Sequence, residues 1–309
     1  MQFEEVPVAE TGAGEVRVRH TAIGVNYIDT YHRSGLYLLP MPTVIGREAA
    51  GIVEAVGANV SEFAPGDRVT YCTGSLGAYC EARNVPADKL IKLPDGITDV
   101  QAASMMLKGL TTQYLFRRTY PLKSGDTILF HAAAGGVGLI ASQWAKALGV
   151  TMIGTVGSDE KAELAKAHGC THTIVYTREN FTEKTRELTG GKGVPVVYDG
   201  VGKDTFMGSL DSLSKFGLMV SYGNASGPVT SLNVGILAAK GSLYLTRPTL
   251  DTYTSTREEL LAMAGDLFSL VIAGKIKVEP SRTFALKDAA EAHRELESRR
   301  TSGSIILVP

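Results

Sequence analysis

The sequence contains little cysteine, almost no net charge and no long apolar run. Its 309 residues include three cysteines, Cys72, Cys80 and Cys170, an odd number that builds no disulfide framework and favours a reducing compartment. The 31 basic and 32 acidic side chains leave a net charge of −1, which gives no general attraction to nucleic acids or anionic membranes. No apolar run reaches the roughly 18 residues of a membrane span, and MQFEEVPVAE at the start lacks a signal-peptide pattern. These absences indicate a cytoplasmic protein with no membrane partner.

Glycine, by contrast, is abundant. The chain has 34 glycines in 309 residues, about 11%, where roughly 7% is usual. Such an excess has two interpretations: a chain rich in loops, or a chain whose backbone must pass close to a ligand. The length predicts two domains of about 150 residues each, so the location of the glycines has to decide between the two.

The first hundred residues have the pattern of short β-strands. EVRVRHTAIG, from residue 15, alternates in the manner of a half-buried strand, and AAGIVEAVG and GDRVTY follow after glycine and proline turns. Several short strands between turns predict a barrel or a sandwich. Thr98 and Gln101 then form a predicted capping box at the start of a long helix, through DVQAASMMLKGLTTQYLFRR.

From Gly125 onward, short apolar strands alternate with helices. The predicted strands are TILFHA, TMIGTV, THTIVY, VPVVYD and LMVSYG, and SLYLT at 242–246 fits one more. The helices between them include GGVGLIASQWAKALG, ended by Gly149, and TFMGSLDSLSKFG. This alternation predicts a parallel sheet covered by helices on both faces, with right-handed crossovers. Two further helices, STREELLAMAGDLFSLVIAGK and KDAAEAHRELES, and a final strand, SGSIILVP, are expected after it.

A glycine-rich loop joins the first of these strands to its helix. Ala133, Gly135 and Gly138 occupy the three small-residue positions of an A-x-G-x-x-G fingerprint. Small residues there allow a tight turn, let the backbone approach a pyrophosphate and let the helix pack on the strand. The helix N-terminus offers free N–H groups to the anion. The fingerprint alone is weak evidence for a nucleotide site, because a tight structural turn can have the same sequence. Its place within a series of βα units favours a dinucleotide site.

The end of the second strand indicates which dinucleotide fits. NAD enzymes place Asp or Glu there to accept from the ribose 2′-hydroxyl, whereas NADP needs cations and hydroxyls. The strand ends in Gly157 and Ser158, followed by Asp159, Glu160 and Lys161. Asp159 could reach a ribose or serve the helix dipole, and Lys161 could face solvent. The loop alone therefore favours NADP without excluding NAD.

Ordered motifs along nearly the whole chain resemble one family. They are NYIDTY at 26–31, RSGLY at 33–37, GREAAG at 46–51, APGDRV at 64–69, LKGLT at 107–111, FHAAAGGVG at 130–138, VYDGVG at 197–202, GNASG at 223–227 and GSIIL at 303–307. In this order they resemble the zinc-independent, zeta-crystallin-like quinone oxidoreductases of the medium-chain dehydrogenase/reductase superfamily, above all the bacterial NADPH:quinone reductases.

The resemblance implies an α/β fold of two domains. A GroES-like β-barrel catalytic domain would comprise residues 1–109 and 248–309, and a Rossmann domain with a doubly wound parallel sheet residues 110–247, with the active site in the cleft between them. It also implies a homodimer joined through the edge strand from Ser242 to Thr246, which would cover an exposed sheet edge. Family members usually have one more strand and a turn before the point where this chain starts, so the barrel is expected to lack its first hairpin unless the start is misassigned.

Two departures from the zinc-dependent relatives argue against a catalytic metal. Those relatives carry cysteine where this chain has Asn26 and histidine where it has Arg47. They also have a four-cysteine lobe, whereas no two of the three cysteines here have C-x2-C spacing. Without a thiolate or an imidazole at these positions, metal-free hydride transfer from NADPH to a quinone is the expected reaction.

The resemblance also assigns the NADPH contacts. The residues expected at the pyrophosphate are Gly135, Gly136 and Val137. Those expected in a cage for the 2′-phosphate, beside Gly157, are Ser158, Lys161, Tyr176 and Arg299. Tyr176 could instead be a core aromatic, and Arg299 a surface cation at a polar helix end. The remaining expected cofactor contacts are Asn26, Tyr31, Tyr114, Gly223 and Asn224.

The catalytic residues are expected in the N-terminal domain. Asn26 and Tyr31 would line the nicotinamide pocket and donate hydrogen bonds to the quinone oxygen, where negative charge develops. Tyr37 would border the quinone slot and Asp29 would fix the loop, although packing within the barrel explains either tyrosine equally well. His131 is expected to be a core histidine rather than a base. No nucleophile is needed, because the cofactor carries the chemistry.

Two other functions remain open. A reductase of 2-alkenals or enoyl thioesters would use the same cofactor and scaffold, but it would need a positioned acid to protonate carbon. A non-enzymatic role, as a crystallin-like protein or an RNA binder, is also associated with this family. The net charge of −1 and the lack of a basic, aromatic patch argue against nucleic acid as a partner.

Overall fold

The chain folds into two compact units, one formed by residues 1–110 and 253–309 and the other by residues 111–252. The structure, a computed structural model, describes residues 1–298 and 300–309. The strands in chain order are Glu15–Val25 (β1), Glu48–Val56 (β2), Arg68–Tyr71 (β3), Ala82–Pro86 (β4), Ile91–Lys92 (β5), Thr127–Phe130 (β6), Thr151–Val156 (β7), His172–Val175 (β8), Val194–Asp199 (β9), Leu213–Ser221 (β10), Tyr244–Thr246 (β11), Pro280–Ala285 (β12) and Ser304–Val308 (β13). The α-helices are Tyr27–Ser34 (α1), Asp99–Tyr114 (α2), Gly136–Leu148 (α3), Asp159–Ala167 (α4), Phe181–Leu188 (α5), Phe206–Ser212 (α6), Gly235–Ala239 (α7), Leu250–Tyr253 (α8), Arg257–Ile272 (α9) and Ala289–Glu297 (α10).

The first unit is built on a sheet of seven strands in the order β12–β13–β1–β2–β3–β5, with β4 paired to β1. Strand β1 is the centre of this sheet, because it pairs antiparallel with β2, β4 and β13. Its alternation places Val16 and Val18 in the core and leaves Arg19 exposed, as the period-two pattern predicts. The core of this unit joins residues from both ends of the chain, since Leu286 and Ile305 pack with the N-terminal strands.

Two helices of the first unit bear on the site. The predicted capping box at the start of α2 is confirmed: Thr98 N donates to Gln101 Oε1 at 2.9 Å and Gln101 N donates to Thr98 Oγ1 at 3.1 Å. Helix α1, which the sequence analysis did not predict, begins after Asn26 and ends at Gly35, whose φ of +78° is the left-handed conformation that glycine adopts without strain.

The second unit is a parallel six-stranded sheet in the order β11–β10–β9–β6–β7–β8. The predicted doubly wound sheet is thereby confirmed: the chain runs outward from β6 to β8, then crosses to β9 and runs outward to β11. The order reverses between β6 and β9, and at such a reversal the carboxyl ends of the strands leave room for a ligand. The glycine loop follows β6 at this point.

Two predicted elements of this unit differ from the structure. The helix expected over TFMGSLDSLSKFG ends at Ser212, because Leu213 is buried in the core and pairs with Val194 in the sheet. Strand β11 begins at Tyr244 rather than at Ser242, whose φ of +55° belongs to a turn. Among the residues described, no helix has both the length and the apolar character to span a bilayer.

Candidate functional site

The glycine loop of the second unit is shaped for close approach to an anion. Gly135 precedes helix α3 in an extended conformation, and no side chain caps the helix. At Gly138, a Cβ atom would lie 2.3 Å from Ala132 O, so the helix packs on the loop more closely than any other residue would allow. The first-turn N–H groups of α3 include those of Gly136 and Val137. They lie at the positive end of the dipole of this 13-residue helix. The loop therefore fits a pyrophosphate.

A buried polar chain supports this loop. His131 lies fully inside the second unit, with Nδ1 2.9 Å from Thr155 Oγ1 and Nε2 2.9 Å from Ser209 Oγ. Ser209 Oγ in turn donates to Asp199 Oδ2 at 2.8 Å. Burial lowers the pKa of His131 although Asp199 opposes the shift, so the ring is neutral. His131 thus ties the ends of β6, β7 and β9 together, as expected of a core histidine.

Three predicted phosphate-cage residues lie around the end of β7. Ser158 caps α4 by accepting from Lys161 N at 3.4 Å. Burial lowers the pKa of the Lys161 ammonium group. A Cβ on Gly157 would lie 3.0 Å from Tyr176 Oη, so the hydroxyl of this half-exposed tyrosine lies directly against the glycine. The fourth residue of the predicted cage, Arg299, lies outside the described residues.

An unpredicted ion pair engages the nearest acidic side chain. Arg178 donates to both oxygens of Asp159, at 2.7 and 2.5 Å, and this pairing lowers the pKa of the Asp159 carboxyl. A carboxylate held by a guanidinium is less available to accept from a ribose 2′-hydroxyl. Arg178 follows the third strand of the second unit, two residues after Tyr176. This position was the only sequence signal for it, and the sequence analysis did not use it.

The other predicted cofactor residues of this unit take ordered positions. A Cβ on Gly223 would lie 2.3 Å from Gly200 O, so glycine is required where the loop after β10 meets the loop after β9. Asn224 O accepts from Gly227 N at 2.9 Å within the same loop. Tyr114 is buried at the end of α2.

In the first unit, the predicted catalytic residues cluster at the start of α1. Asn26 N donates to Asp29 Oδ2 at 2.8 Å, so the carboxylate holds the first turn of the helix. Tyr31 is buried, and its ring meets those of Tyr27 and Tyr37 edge-on, with centroids 5.6 and 5.3 Å apart. The structure therefore brings Asn26, Asp29, Tyr31 and Tyr37 together.

A buried ion pair that the sequence analysis missed orients Asn26. Glu48 is fully buried; its Oε2 accepts from Asn26 Nδ2 at 2.7 Å and from Lys108 Nζ at 3.3 Å, and its Oε1 accepts from Leu107 N at 2.8 Å. A Cβ on Gly24 would lie 2.3 Å from Glu48 Oε2, so the glycine makes room for the carboxylate. Only the motif GREAAG pointed to Glu48, and nothing in the sequence linked it to Lys108.

Asp29 itself lies in an environment that favours its neutral form. Its side chain is fully buried, and its Oδ2 also accepts from Tyr79 Oη at 3.1 Å. Burial raises the pKa of this carboxyl to about 7, against the opposing effect of the hydrogen bonds from Asn26 and Tyr79. A carboxyl with this pKa can give and take a proton near neutrality.

Two family models match the chain. That of the alcohol dehydrogenase GroES-like domain matches residues 12–95, and that of the zinc-binding dehydrogenases matches residues 136–263. The predicted fold class, a GroES-like domain with a Rossmann domain, is confirmed.

Known proteins match the chain from end to end. A quinone oxidoreductase of Pseudomonas aeruginosa is 59% identical over 100% of this chain and 95% of its own length. A 2-haloacrylate reductase of a Burkholderia species is 49% identical over 99% of this chain and 94% of its own length. The crystal structure of Escherichia coli quinone oxidoreductase complexed with NADPH has a TM-score of 0.99 and 53% identity, covering 100% of this chain and 95% of that one.

Removal of one partner of the buried Glu48–Lys108 pair is expected to destabilise the protein. Lys108→Met leaves the carboxylate without its cation and should lower the free energy of unfolding by about 3–5 kcal/mol in a urea titration. The double variant Glu48→Gln with Lys108→Met should recover much of that loss. Lys92→Met, which removes an exposed ion pair with Asp67 in the same unit, should cost about 1 kcal/mol or less. An equal loss of unfolding free energy in Lys108→Met and in Lys92→Met would contradict this prediction.

Proposed function

The chain belongs to the quinone oxidoreductase family of the medium-chain dehydrogenase/reductase superfamily, and we propose that it is an enzyme that reduces small quinones with NADPH. The observation that carries the proposal is the 59% identity, over the whole chain, to a protein named quinone oxidoreductase. The glycine loop at the reversal point of the parallel sheet supports it independently, because that is where doubly wound folds bind dinucleotides.

The second unit holds the cofactor in this proposal. Gly135, Gly136 and Val137 bind the pyrophosphate through backbone N–H groups, and Gly157 leaves room for the adenosine ribose. The 2′-phosphate is bound by Ser158, Lys161 and Tyr176 together with Arg299, and Arg178 neutralises the nearby Asp159. Asn26 and Tyr31 of the first unit line the nicotinamide pocket, and the remaining cofactor contacts are Tyr114, Gly223 and Asn224. Bound NADPH supplies the hydride.

The first unit supplies the groups for the quinone. Hydride uptake leaves negative charge on a quinone oxygen, and Asn26 and Tyr31 donate hydrogen bonds to that oxygen. One amide hydrogen of Asn26 is taken by Glu48; the other makes only a 3.5 Å contact with Gly24 O and is given up to the substrate. Tyr37 borders the quinone, and Asp29 fixes the loop that carries these groups.

The reaction proposed here needs no metal ion. The amide of Asn26 and the guanidinium of Arg47 stand where zinc-dependent relatives carry a thiolate and an imidazole. Over residues 1–298 and 300–309, no three His, Cys, Asp or Glu side chains form a group that could hold a metal. Catalysis then depends on positioning and on hydrogen bonds to the developing charge.

We assign the catalytic domain to residues 1–109 and 248–309 and the nucleotide-binding domain to residues 110–247. A homodimer through the strand from Ser242 to Thr246 completes the proposal: β11 is an edge strand whose Tyr244 and Leu245 are exposed, and pairing would cover it. We place the protein in the cytoplasm, where its three free cysteines stay reduced.

A second reaction is supported by one relative. The 49% identity to a protein named 2-haloacrylate reductase favours reduction of a carbon–carbon double bond next to a carbonyl on the same scaffold. This reaction needs a group that protonates carbon. Rates with 1,4-benzoquinone against those with 2-alkenals and 2-haloacrylates, measured with NADPH, distinguish the two.

The cofactor preference is expected to depend on Ser158. Ser158→Asp keeps a capping side chain on α4 but sets a carboxylate against the 2′-phosphate, so NADPH affinity should fall at least about tenfold while NADH affinity holds or rises. Quenching of tryptophan and tyrosine fluorescence measures both affinities. Ser61→Asp, at an exposed serine of the first unit, is the control. Equal affinity of the unaltered protein for NADPH and NADH would refute the phosphate cage.

The roles of Asn26 and Tyr31 are tested by kinetics. Asn26→Ala and Tyr31→Phe each remove a donor to the quinone oxygen and should lower kcat/KM for 1,4-benzoquinone about ten- to a hundredfold, with NADPH affinity changed much less. Unchanged kcat/KM in both variants would exclude them as donors.

The dimer is tested by sedimentation. Leu245→Lys sets a charge on the edge strand and should convert the dimer into a monomer. Leu188→Lys changes a leucine of equal exposure, 37% against 36%, on α5 and should leave the dimer intact. If the unaltered protein sediments as a monomer, the proposed interface is wrong.

A further inference from the structure

A chain of hydrogen bonds leads from Asp29 to the protein surface. Asp29 Oδ2 lies 3.1 Å from Tyr79 Oη, and Tyr79 Oη lies 2.9 Å from His293 Nε2. His293 Nδ1 lies 3.3 Å from Arg33 Nη1, and Arg33 Nη2 donates to Glu297 Oε1 at 2.7 Å. Asp29 and His293 are fully buried, whereas the Arg33 and Glu297 side chains are 27% and 38% exposed. The chain thus joins a buried carboxyl to solvent within one unit.

The hydrogens in this chain have one consistent direction. The Arg33 guanidinium has only N–H donors, so His293 Nδ1 must accept from it. The neutral imidazole then carries its hydrogen on Nε2, which donates to Tyr79 Oη. The Tyr79 hydroxyl hydrogen is left for Asp29 Oδ2. Each donor therefore points toward Asp29.

The packing fixes the middle of the chain. A Cβ on Gly46 would lie 2.3 Å from Tyr79 Cδ1, so the tyrosine ring fills the space that this glycine leaves open. The rings of Tyr79 and His293 meet at 90° with centroids 5.7 Å apart. At the inner end, Asp29 Oδ1 is buried and has no hydrogen-bond partner among the described residues. That atom is where a protonated Asp29 carries a hydrogen for a further acceptor.

We propose that Tyr79 and His293 form a proton relay that resupplies Asp29 during quinone reduction, an inference that rests on the proposed function. The quinone gains two electrons and one hydrogen with the hydride, which leaves a hydroquinone monoanion. Its free oxygen takes the proton from Asp29 Oδ1. Asp29 Oδ2 then takes the Tyr79 hydroxyl proton, Tyr79 Oη takes the proton of His293 Nε2, and His293 Nδ1 takes one from solvent as Arg33 turns away. The proton has then arrived on the Oδ2 side of Asp29 and the His293 hydrogen lies on Nδ1. A half-turn of the carboxyl, a half-turn of the imidazole and rotation of the Tyr79 hydroxyl toward Asp29 restore the starting state.

The charges around Asp29 are consistent with this role. Burial, helped by the charge of Glu48, raises its pKa to about 7 against the lowering effects of the hydrogen bonds from Asn26 and Tyr79 and of the charge of Lys108. The carboxyl gives up its proton at every turnover. Below that pH its reprotonation is favourable by any route, whereas above it the resupply depends on the relay. The dependence on Tyr79 and His293 should therefore grow as pH rises through about 7.

The charges around His293 keep its ring neutral. Burial, with the charges of Arg33 and of the Met1 amino group, lowers its pKa to about 4 against the opposing charge of Glu297. Burial also raises the pKa of Tyr79 well above its usual value. Neither residue stores the proton. Both pass it on, and both act through Asp29 rather than by contact with the substrate.

Two variants test the relay against simple positioning. Tyr79→Phe removes the hydroxyl, and His293→Gln keeps a hydrogen-bonding amide that cannot exchange protons between two ring nitrogens. With NADPH and 1,4-benzoquinone, each should lower kcat about tenfold or more at about pH 8 and much less at about pH 6. Imidazole added to the buffer should restore kcat. Because proton delivery then limits the rate, the solvent isotope effect on kcat should rise, and the isotope effect of deuterated NADPH on kcat should shrink.

The chain offers a matched control. Tyr71 Oη lies 2.9 Å from His20 Nε2, a buried Tyr–His pair of the same length in the same unit, and among the residues that the structure describes no hydrogen bond connects this pair to Asp29. Tyr71→Phe should leave kcat and its pH profile unchanged, with thermal unfolding checking the fold of every variant.

Three results would overturn the relay in an active enzyme. They are an unchanged kcat in both variants, a loss that is equal at every pH and not restored by imidazole, or the same pH profile in Tyr71→Phe as in Tyr79→Phe. An unaltered protein that binds NADPH but reduces no quinone would instead refute the proposed function.

Discussion

The buried carboxylate of Glu48 is the constraint on which the first unit depends. It lies on β2 and accepts hydrogen bonds from Asn26, before α1, and from Leu107 and Lys108 on α2. A carboxylate cannot stay buried without such partners, so the start of α1 and the middle of α2 are held to β2. The groups proposed to meet the quinone are therefore placed by an ion pair that does no chemistry itself.

In the second unit, neutral polar groups hold the strand ends next to the glycine loop in position. One buried chain of hydrogen bonds crosses the ends of three strands, β6, β7 and β9, at the point where the glycine loop begins; its members are Thr155, His131, Ser209 and Asp199. Burial lowers the pKa of His131, so the ring is neutral and serves to fix the ends of the three strands. In both units of this quinone oxidoreductase, buried polar contacts define where backbone and donors stand, and the cofactor brings the reactive hydrogen.

The sequence predicts the elements whose cause is local and misses the contacts whose cause is distant. Period-two alternation predicts β1, the capping box at Thr98 predicts α2, and the small residues at Gly135 and Gly138 predict the phosphate loop, because each signal lies within one segment. Helix α1 is an exception: the contact that holds its first turn, from Asn26 N to Asp29, is local, but sequence reasoning assigned Asp29 only to a loop. Pairs such as Glu48 with Lys108, or Tyr79 with His293, join residues far apart in the chain. Periodicity carries no information on such pairs.

The pairing of β1 with β13 has a consequence for biosynthesis. Ile23 faces Leu307 across the two strands, so the first sheet gains its last central partner only when the final residues of the chain are made. The second unit, residues 111–252, is continuous in the chain and can fold as soon as it leaves the ribosome. Until β13 is made, the Ile23–Val25 end of β1 presents an open edge, to which other nascent chains could add. The sheet of the first unit is therefore completed only after the whole of the second unit has been synthesised.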